Sequence, residues 1–382
     1  MATYNFEELK KKYEKFYKPI YSVKVGGNEL FGGKLHYDLE RISIDLTSDY
    51  KASIATICIN GVYDSNKGEF NTPKIKKMIL LGSDILVSLG YGVTIKEVFR
   101  GFISKVDFVY DLAFYEEPVV IITAMDIKGI MMANNSSKRL TASYYSDAVK
   151  EIFDQPVYSN LKNSGIVGSF DITNTPDKPQ AQSGQPKDVR IEMVGESDYD
   201  FVVKVAKRFN YEFFSQGKYV YFRKAKSSSE MLMDISPNPY VYSYDVSYDI
   251  SGLVGKVDVR GVDITKGKTI TASAKNSNKL SSGNKAKALI SKQTKVYVDA
   301  AVETKDDAQF LATSLLDDMA YRLGSLRLNM IGLPEALPGS FINFTQIGTG
   351  VSNKFYITDV NHSISKNGVY TVTLQGKSAG VI

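Results

Sequence analysis

The sequence predicts a β-rich α+β protein: two antiparallel β domains, over residues 20–125 and 236–382, flanking an α+β insert over 126–235. Three observations carry that prediction. Apolar and polar residues alternate with period two through much of both flanks. A helical period appears only in a few defined windows. The strand-like runs of residues 20–125 follow one another without the long helices that parallel crossovers need, so an antiparallel barrel or sandwich fits that stretch better. At 382 residues the chain exceeds one ordinary core. Its 25 Tyr and 19 Phe suit the pleated surface of a sheet.

Taken in order, Phe6, Leu9, Tyr13 and Phe16 repeat at helical spacing with lysines between them, which predicts a docking helix within residues 1–19. RISIDLTS then alternates, with Ile42, Ile44 and Leu46 on one face. KKMILLGSDILVSLGYG, VFRGFISKVDFVYD and PVVIITAMD continue as strands broken by glycines. GVYDSNKGEFNTPKIKK reads as a long polar loop with room for a short helix. Within the insert, DIKGIMMA and SYYSDAVKEIFDQ read as helices, and residues 171–188 as an exposed linker rich in Pro, Gln, Ser and Asp.

GESDYDFVVKVAKRFNYEFF, residues 195–214, places Glu196, Asp198 and Asp200 within five positions. Ser197 followed by Asp200 is a capping-box variant, and Phe201, Val205 and Phe209 make one apolar face. The carboxylates therefore sit in a first helical turn, beside the positive end of the helix dipole. Asn210 ends the helix, and YEFFSQGKYVYFRKA follows as a hairpin around Gly217. The C-terminal domain opens with GKVDVRGVDITKGKTITASAK. A Lys/Asn/Ser-rich loop covers 275–292, and a helix is expected over 305–323 with Asp306 helping to cap it. SLRLNMIG, SFINFTQ, KFYITDVNHSI and VYTVTLQG close the chain as strands.

Composition narrows the chemistry. The +5 charge, from 47 basic and 42 acidic residues, reads as a mild excess spread along the chain, without the concentrated stripe of a nucleic-acid binder. A lone Cys58 excludes an internal disulfide framework and reads as a buried small hydrophobe. No apolar stretch reaches transmembrane length and no signal-peptide core opens the chain, so assembly in a bacterial cytoplasm is expected. The two histidines, His36 and His362, both lie in strand-like runs; Asp359 and His362 are separated so that they face opposite sides of a strand. KGKT at 266–269 lacks the spacing and context of a phosphate loop. Glu116 and Glu117 read as a solvated hairpin turn. No catalytic residue, metal site or cofactor is expected.

Four segments, in order, resemble the hub proteins of contractile injection machines: the phage late control D family and the hub part of the type VI secretion spike, VgrG. LLGSDILVSLGYGVTIKEVFRGFISKVDF is similar to the family's barrel pattern through Gly82, Leu86, Gly90, Phe99, Gly101 and Ile103. ITAMDIKGIMM with SYYSDAVKEIF is similar to the stretch that follows the first barrel. GESDYDFVVKVAKRFNYEFF resembles the family's "ESDxxF" helix through Ser197, Asp200 and Phe201, with Asn210 where Gly is common. The fourth group is C-terminal: VDVRGVDITKGKTITA (Gly261, Asp263), MIGLPEALPGSFINF (Gly332, Pro334, Pro338, Gly339) and KFYITDVNHSISKNGVYTVTLQG (His362).

The resemblance implies two tube-like β-barrels per chain and a homotrimer whose six barrels form a ring. That ring would adapt a hexameric tail tube to a three-fold spike. It implies as partners the tube protein, a trimeric spike and other baseplate proteins, with a LysM-type initiator and the tape measure among them. It implies neither stable membrane insertion nor sequence-specific nucleic-acid binding. The finished product would belong to a virion or an extracellular tail-like particle such as a tailocin. In many relatives an oligonucleotide/oligosaccharide-binding domain and a needle follow; this sequence ends at QGKSAGVI, so the spike is expected on a separate protein and no enzyme activity is inherited. The rival readings are a cell-wall hydrolase and a carbohydrate-binding tail-tip protein.

Overall fold

A computed structural model describes residues 2–31, 37–76, 79–177, 191–228, 230–263, 267–277, 279–299, 302, 304–348 and 351–381. His36 and residues 178–188 of the expected linker lie outside the described residues; the linker's first part is not exposed, since residues 171–172 end the strand Ser169–Ile172 and Thr175 and Asp177 are buried, accepting from Ser146 N and Tyr145 N at the start of the helix Tyr145–Phe153.

Strands from both ends of the chain join in one large sheet of fourteen strands, most of them antiparallel. One group runs Pro19–Val25, Asp84–Tyr91, Thr94–Val109, Val119–Met125, Ile54–Asn60 and Asp38–Thr47, in order of pairing. The other contains Val241–Tyr248, Gly324–Ile331, Tyr370–Ser378 and Asn353–Ser365, with Phe341–Phe344 and Met231–Ile235 beyond. The groups meet where Asp38–Thr47 pairs antiparallel with Asn353–Ser365, from Arg41 opposite Ser365 to Thr47 opposite Asp359. Among the described residues the pairings close no barrel.

Period-two patterning decides which faces are inside. Ile42, Ile44 and Leu46 are buried, as are Tyr370, Val372 and Leu374, while Thr371, Thr373 and Gln375 point away. Both strand groups supply the same apolar cluster, including Ile57, Ile122, Leu328, Val360 and Ile364. At about 25 cal/mol per Å² of apolar surface, each fully buried Ile or Leu adds roughly 1.5–3 kcal/mol of transfer free energy. Cys58 is buried, and burial pushes its thiol up to about 11.

The N-terminal helix is shorter than its apolar spacing predicts. It spans Phe6–Lys12, capped by the Asn5 side chain, and Glu14, Lys15 and Phe16 then take positive φ. The break turns the chain so that the Phe16 ring meets Tyr91 at 5.4 Å and Tyr240 at 5.2 Å, contacts a straight helix would not deliver together. The loop over 61–77 holds a two-residue hairpin, Tyr63–Asp64 with Glu69–Phe70, and a short helix, Thr72–Lys76.

The insert has its own core, built from the helices Tyr145–Phe153 and Asp198–Phe209 and the hairpin Tyr211–Gln216 with Tyr219–Lys224. Gly217, at φ +55, makes the hairpin turn. A second small unit interrupts the large sheet between Val241–Tyr248 and Gly324–Ile331. Its three strands, Lys256–Asp263, Lys268–Lys275 and Thr294–Val298, form a separate sheet packed on the helix Lys305–Ala320 around Val257, Val259, Ala308 and Leu316. Thr304, not Asp306, caps that helix: its hydroxyl accepts from Asp307 N at 3.1 Å. An Ncap side chain must sit one residue before the first turn, a place Thr304 holds and Asp306 has already passed.

Candidate interaction sites

The acidic stretch at 196–200 is a helix start in which each carboxylate has separate work. Ser197 is the N-cap, its hydroxyl accepting from Asp200 N at 2.9 Å and donating to Asp200 Oδ2 at 2.6 Å. Asp200 thus reaches the cap side chain rather than the cap backbone. Glu196 pairs with Lys204 at 2.6 Å. Asp198 is fully buried, and its Oδ2 accepts from Asn134 Nδ2, Gln155 Nε2 and Tyr158 OH at 2.6, 3.1 and 2.7 Å. It fastens three segments of the insert together. Asn210 takes the left-handed conformation at φ 55 and ψ 53, the backbone that its place at the helix end predicts. Among the described residues no group of three or more His, Cys, Asp or Glu side chains is arranged to hold a metal ion.

The loop over residues 332–340, GLPEALPGS, joins four parts of the molecule. Gly332 O accepts from Tyr91 OH at 2.8 Å, and a Cβ there would lie 2.2 Å from the Tyr370 ring. Glu335, 1% exposed, accepts from Lys12 Nζ at 2.7 Å and Tyr13 OH at 2.8 Å, which anchors the N-terminal helix. Ala336 O lies 2.9 Å from His362 Nε2, and Tyr370 OH lies 2.9 Å from Nδ1. A carbonyl can only accept, so Nε2 carries the proton and Nδ1 accepts from the tyrosine. Burial lowers His362 to about 4, so the ring is neutral at physiological pH. Gly339, at φ +92, offers its carbonyl to Arg223 at 2.6 Å. Pro334 and Pro338 belong to the same loop.

Other residues singled out by sequence are spacers. Gly101 and Gly90 lie where strands cross closely: a Cβ would come within 2.1 Å of Met125 O and 1.9 Å of Thr94 O. At Gly261 it would meet Val302 O at 2.2 Å. Phe99 and Phe201 are core residues, Gly82 makes the turn before Asp84–Tyr91, and Asp263 ends the strand Lys256–Asp263.

Two polar joints fix the insert to the large sheet, and sequence reasoning named neither. In the first, Arg223 Nε donates to Glu212 Oε1 at 2.6 Å and Tyr356 OH donates to Oε2. Burial raises the Glu212 carboxyl above its ordinary range despite the guanidinium beside it. In the second, Lys128 is buried, its ammonium donating to Asp49 O at 2.9 Å and Lys51 O at 2.7 Å. Burial lowers it to about 8. Asp126 completes this joint by accepting from Ser215 Oγ at 2.6 Å and Ser53 N at 3.1 Å. A cleft of about 670 Å³ opens beside the first joint, walled by Tyr50, Tyr211, Leu315 and Val298. The usable signal was the Glu212/Arg223 pair on neighbouring hairpin strands, but its partner Tyr356 lies 144 residues on.

Three surfaces remain open. The loop after Thr94–Val109 exposes Tyr110, Leu112 and Phe114, and Phe108 and Tyr110 meet Phe70 and Tyr63 edge-on. Among the described residues the strand Val241–Tyr248 pairs on one side only, and it exposes Tyr242 and Tyr244. Third, the charge excess is not spread along the chain as its overall ratio suggests. Residues 264–298 hold eight lysines and no acid, whereas the rest holds 39 basic against 42 acidic residues.

The same layout is found in known tail proteins. The chain superposes on a tail protein from Neisseria meningitidis MC58 with a TM-score of 0.65 at 13% identity, covering 95% of this chain and 97% of the other. It superposes on the 43 kDa tail protein of prophage MuSo2 from Shewanella oneidensis with a TM-score of 0.64 at 13% identity, covering 94% and 98%. It is also similar to an E. coli component of the type VI secretion system, itself described as structurally similar to T4 bacteriophage tail proteins gp27 and gp5. There the TM-score is 0.56 at 10% identity, covering 94% and 78%. At these identities the likeness establishes a shared fold. No curated protein matches the chain by sequence. Residues 19–366 match the family described as the Alg8 N-terminal domain, and the chain belongs to that family.

Proposed function

We propose that this protein is the structural hub of a contractile tail or tail-like particle. In this reading it is a homotrimer that adapts a six-fold tube to a three-fold spike. The observation that carries it is the composite sheet, two antiparallel strand groups joined edge to edge at Asp38–Thr47 and Asn353–Ser365. Each group supplies one barrel-like module, over 20–125 and over 236–382 with the strand Met231–Ile235 added to it, and three copies supply six. The insert over 126–235, held by the Glu212 and Lys128 joints, keeps a fixed attitude on the ring.

The strand register supports a two-ended body. Val120 lies opposite Ile59 near the aromatic loop, and Met125 lies opposite Ile54 where the insert begins. One end is then available to a tube and the other to a spike. A polar row across the sheet, Thr123, Thr56, Ser43, Ser363 and Thr371, provides a hydrated wall for the lumen. The role is one of assembly rather than catalysis, with tube, spike, LysM-type initiator and tape measure as partners. Assembly takes place in the bacterial cytoplasm before the finished particle acts outside.

The test is the mass of the purified protein by sedimentation equilibrium, alone and with its spike. A trimer is expected in at least one state, and a monomer in both would overturn the reading. A peptidoglycan zymogram is expected to stay blank; a cleared band would favour a wall hydrolase.

A further inference from the structure

We propose that the small unit between the strands Val241–Tyr248 and Gly324–Ile331 carries a surface that binds anionic lipid membranes peripherally. Its lysines at 268, 275, 279, 285, 287, 292 and 295 are all exposed, and none pairs with a described acid. Lys285, Lys287, Lys292 and Lys295 come from the helix Asn284–Ile290, the turn after it and the edge strand Thr294–Val298, whereas Lys268 and Lys275 lie on the strand at the opposite edge of the small sheet, so the first four define the candidate surface. Interleaved with those four along the same helix and edge strand are exposed aliphatics: Leu289 at 59%, Val296 at 48% and Val298 at 81%.

That combination selects the partner. A duplex phosphate backbone would neutralise the lysines and leave Leu289, Val296 and Val298 in water. At a headgroup layer both features are used: aliphatic tips enter the acyl boundary, while lysine stems lie along it and keep their ammonium groups at the phosphates. Among the described residues no helix is long and apolar enough to cross a membrane, so the association is peripheral and reversible. It rests on neither the trimer nor the ring.

The full chain should co-sediment with vesicles of phosphatidylglycerol and phosphatidylcholine but not with phosphatidylcholine alone. Binding should fall steeply between low and about 0.5 M salt. Each lysine removed is expected to weaken partitioning about five-fold, so K285Q/K287Q/K292Q/K295Q should lose well over ten-fold. A charge-matched control, K11Q/K24Q/K76Q/K138Q, should retain most binding. L289S/V298S should lose several-fold at unchanged charge. Equal losses in control and patch variants would reduce the effect to net charge and overturn the proposal. A short DNA duplex bound more tightly than the vesicles, and indifferent to L289S/V298S, would also overturn it by assigning the face to nucleic acid. Soluble glycerol phosphate competing as well as vesicles would assign the site to the headgroup alone and overturn a surface mode. All substitutions lie on exposed side chains except the half-buried Lys138, and circular dichroism with the sedimentation mass confirms fold and assembly in the same samples. Failure here and failure to trimerise are therefore separate readings.

Discussion

His362 shows how a residue suited to chemistry can serve packing. Both ring nitrogens are engaged, by Ala336 O and Tyr370 OH, and the ring is fully buried. Its folded value near 4 lies below the ordinary 6.5. Between those values the unfolded chain binds a proton that the folded protein refuses. Stability is therefore full above about pH 6.5 and is lost as pH falls toward 4, a difference of roughly 3 kcal/mol at 1.36 kcal/mol per unit. Urea titrations from pH 7 to pH 4 should show this slope, and His362→Gln should flatten it. Gly332→Ala is expected to cost about 1–3 kcal/mol, because its Cβ would enter the Tyr370 ring; thermal melting checks it. The alternation around His362 was readable in sequence. Its two partners were not, because one belongs to a loop 26 residues upstream and the other to the neighbouring strand.

At the scale of elements, the helix Asp198–Phe209 was the most legible part, since cap, apolar face and stop signal agree. Ser197→Ala should cost about 1 kcal/mol through the lost cap. Asn210→Gly should be neutral or slightly stabilising, and Asn210→Ala should destabilise by about 1 kcal/mol, because only the former accepts φ 55 freely. Denaturant midpoints for the pair decide the matter. The N-terminal helix was less legible: its apolar spacing persists through Phe16 although the backbone leaves the helix after Lys12. Side chains at helical intervals can also be satisfied by a tight turn when the receiving rings, here Tyr91 and Tyr240, lie to one side. The strand Lys256–Asp263 shows a further limit. Period two announces a strand without saying which sheet receives it, and among the described residues this one pairs only within the small unit.

For the whole molecule, the joint at Glu212 decides whether insert and sheet move together. Arg223→Ala would leave a buried carboxylate with Tyr356 as its one side-chain partner among the described residues, a loss of about 3–5 kcal/mol near neutral pH. The penalty should shrink as pH falls, because a carboxyl raised by burial regains its proton first. Hydrogen exchange should show Tyr211–Lys224 opening ahead of Asp38–Thr47 in that variant. Simultaneous opening of both segments would mean that the joint does not couple them. The overall β-rich class could be read from alternation alone. The pairing that makes a single sheet could not, since period two fixes inward and outward faces but carries no address for a partner some 300 residues away.

That pairing also sets a timetable. The strand Asp38–Thr47 leaves the ribosome some 300 residues ahead of one of its neighbours, Asn353–Ser365. Until then a polypeptide of more than 300 residues carries a bare, apolar-backed strand border. Chaperone holding during translation, and aggregation of chains cut short before residue 353, are the expected marks of that wait.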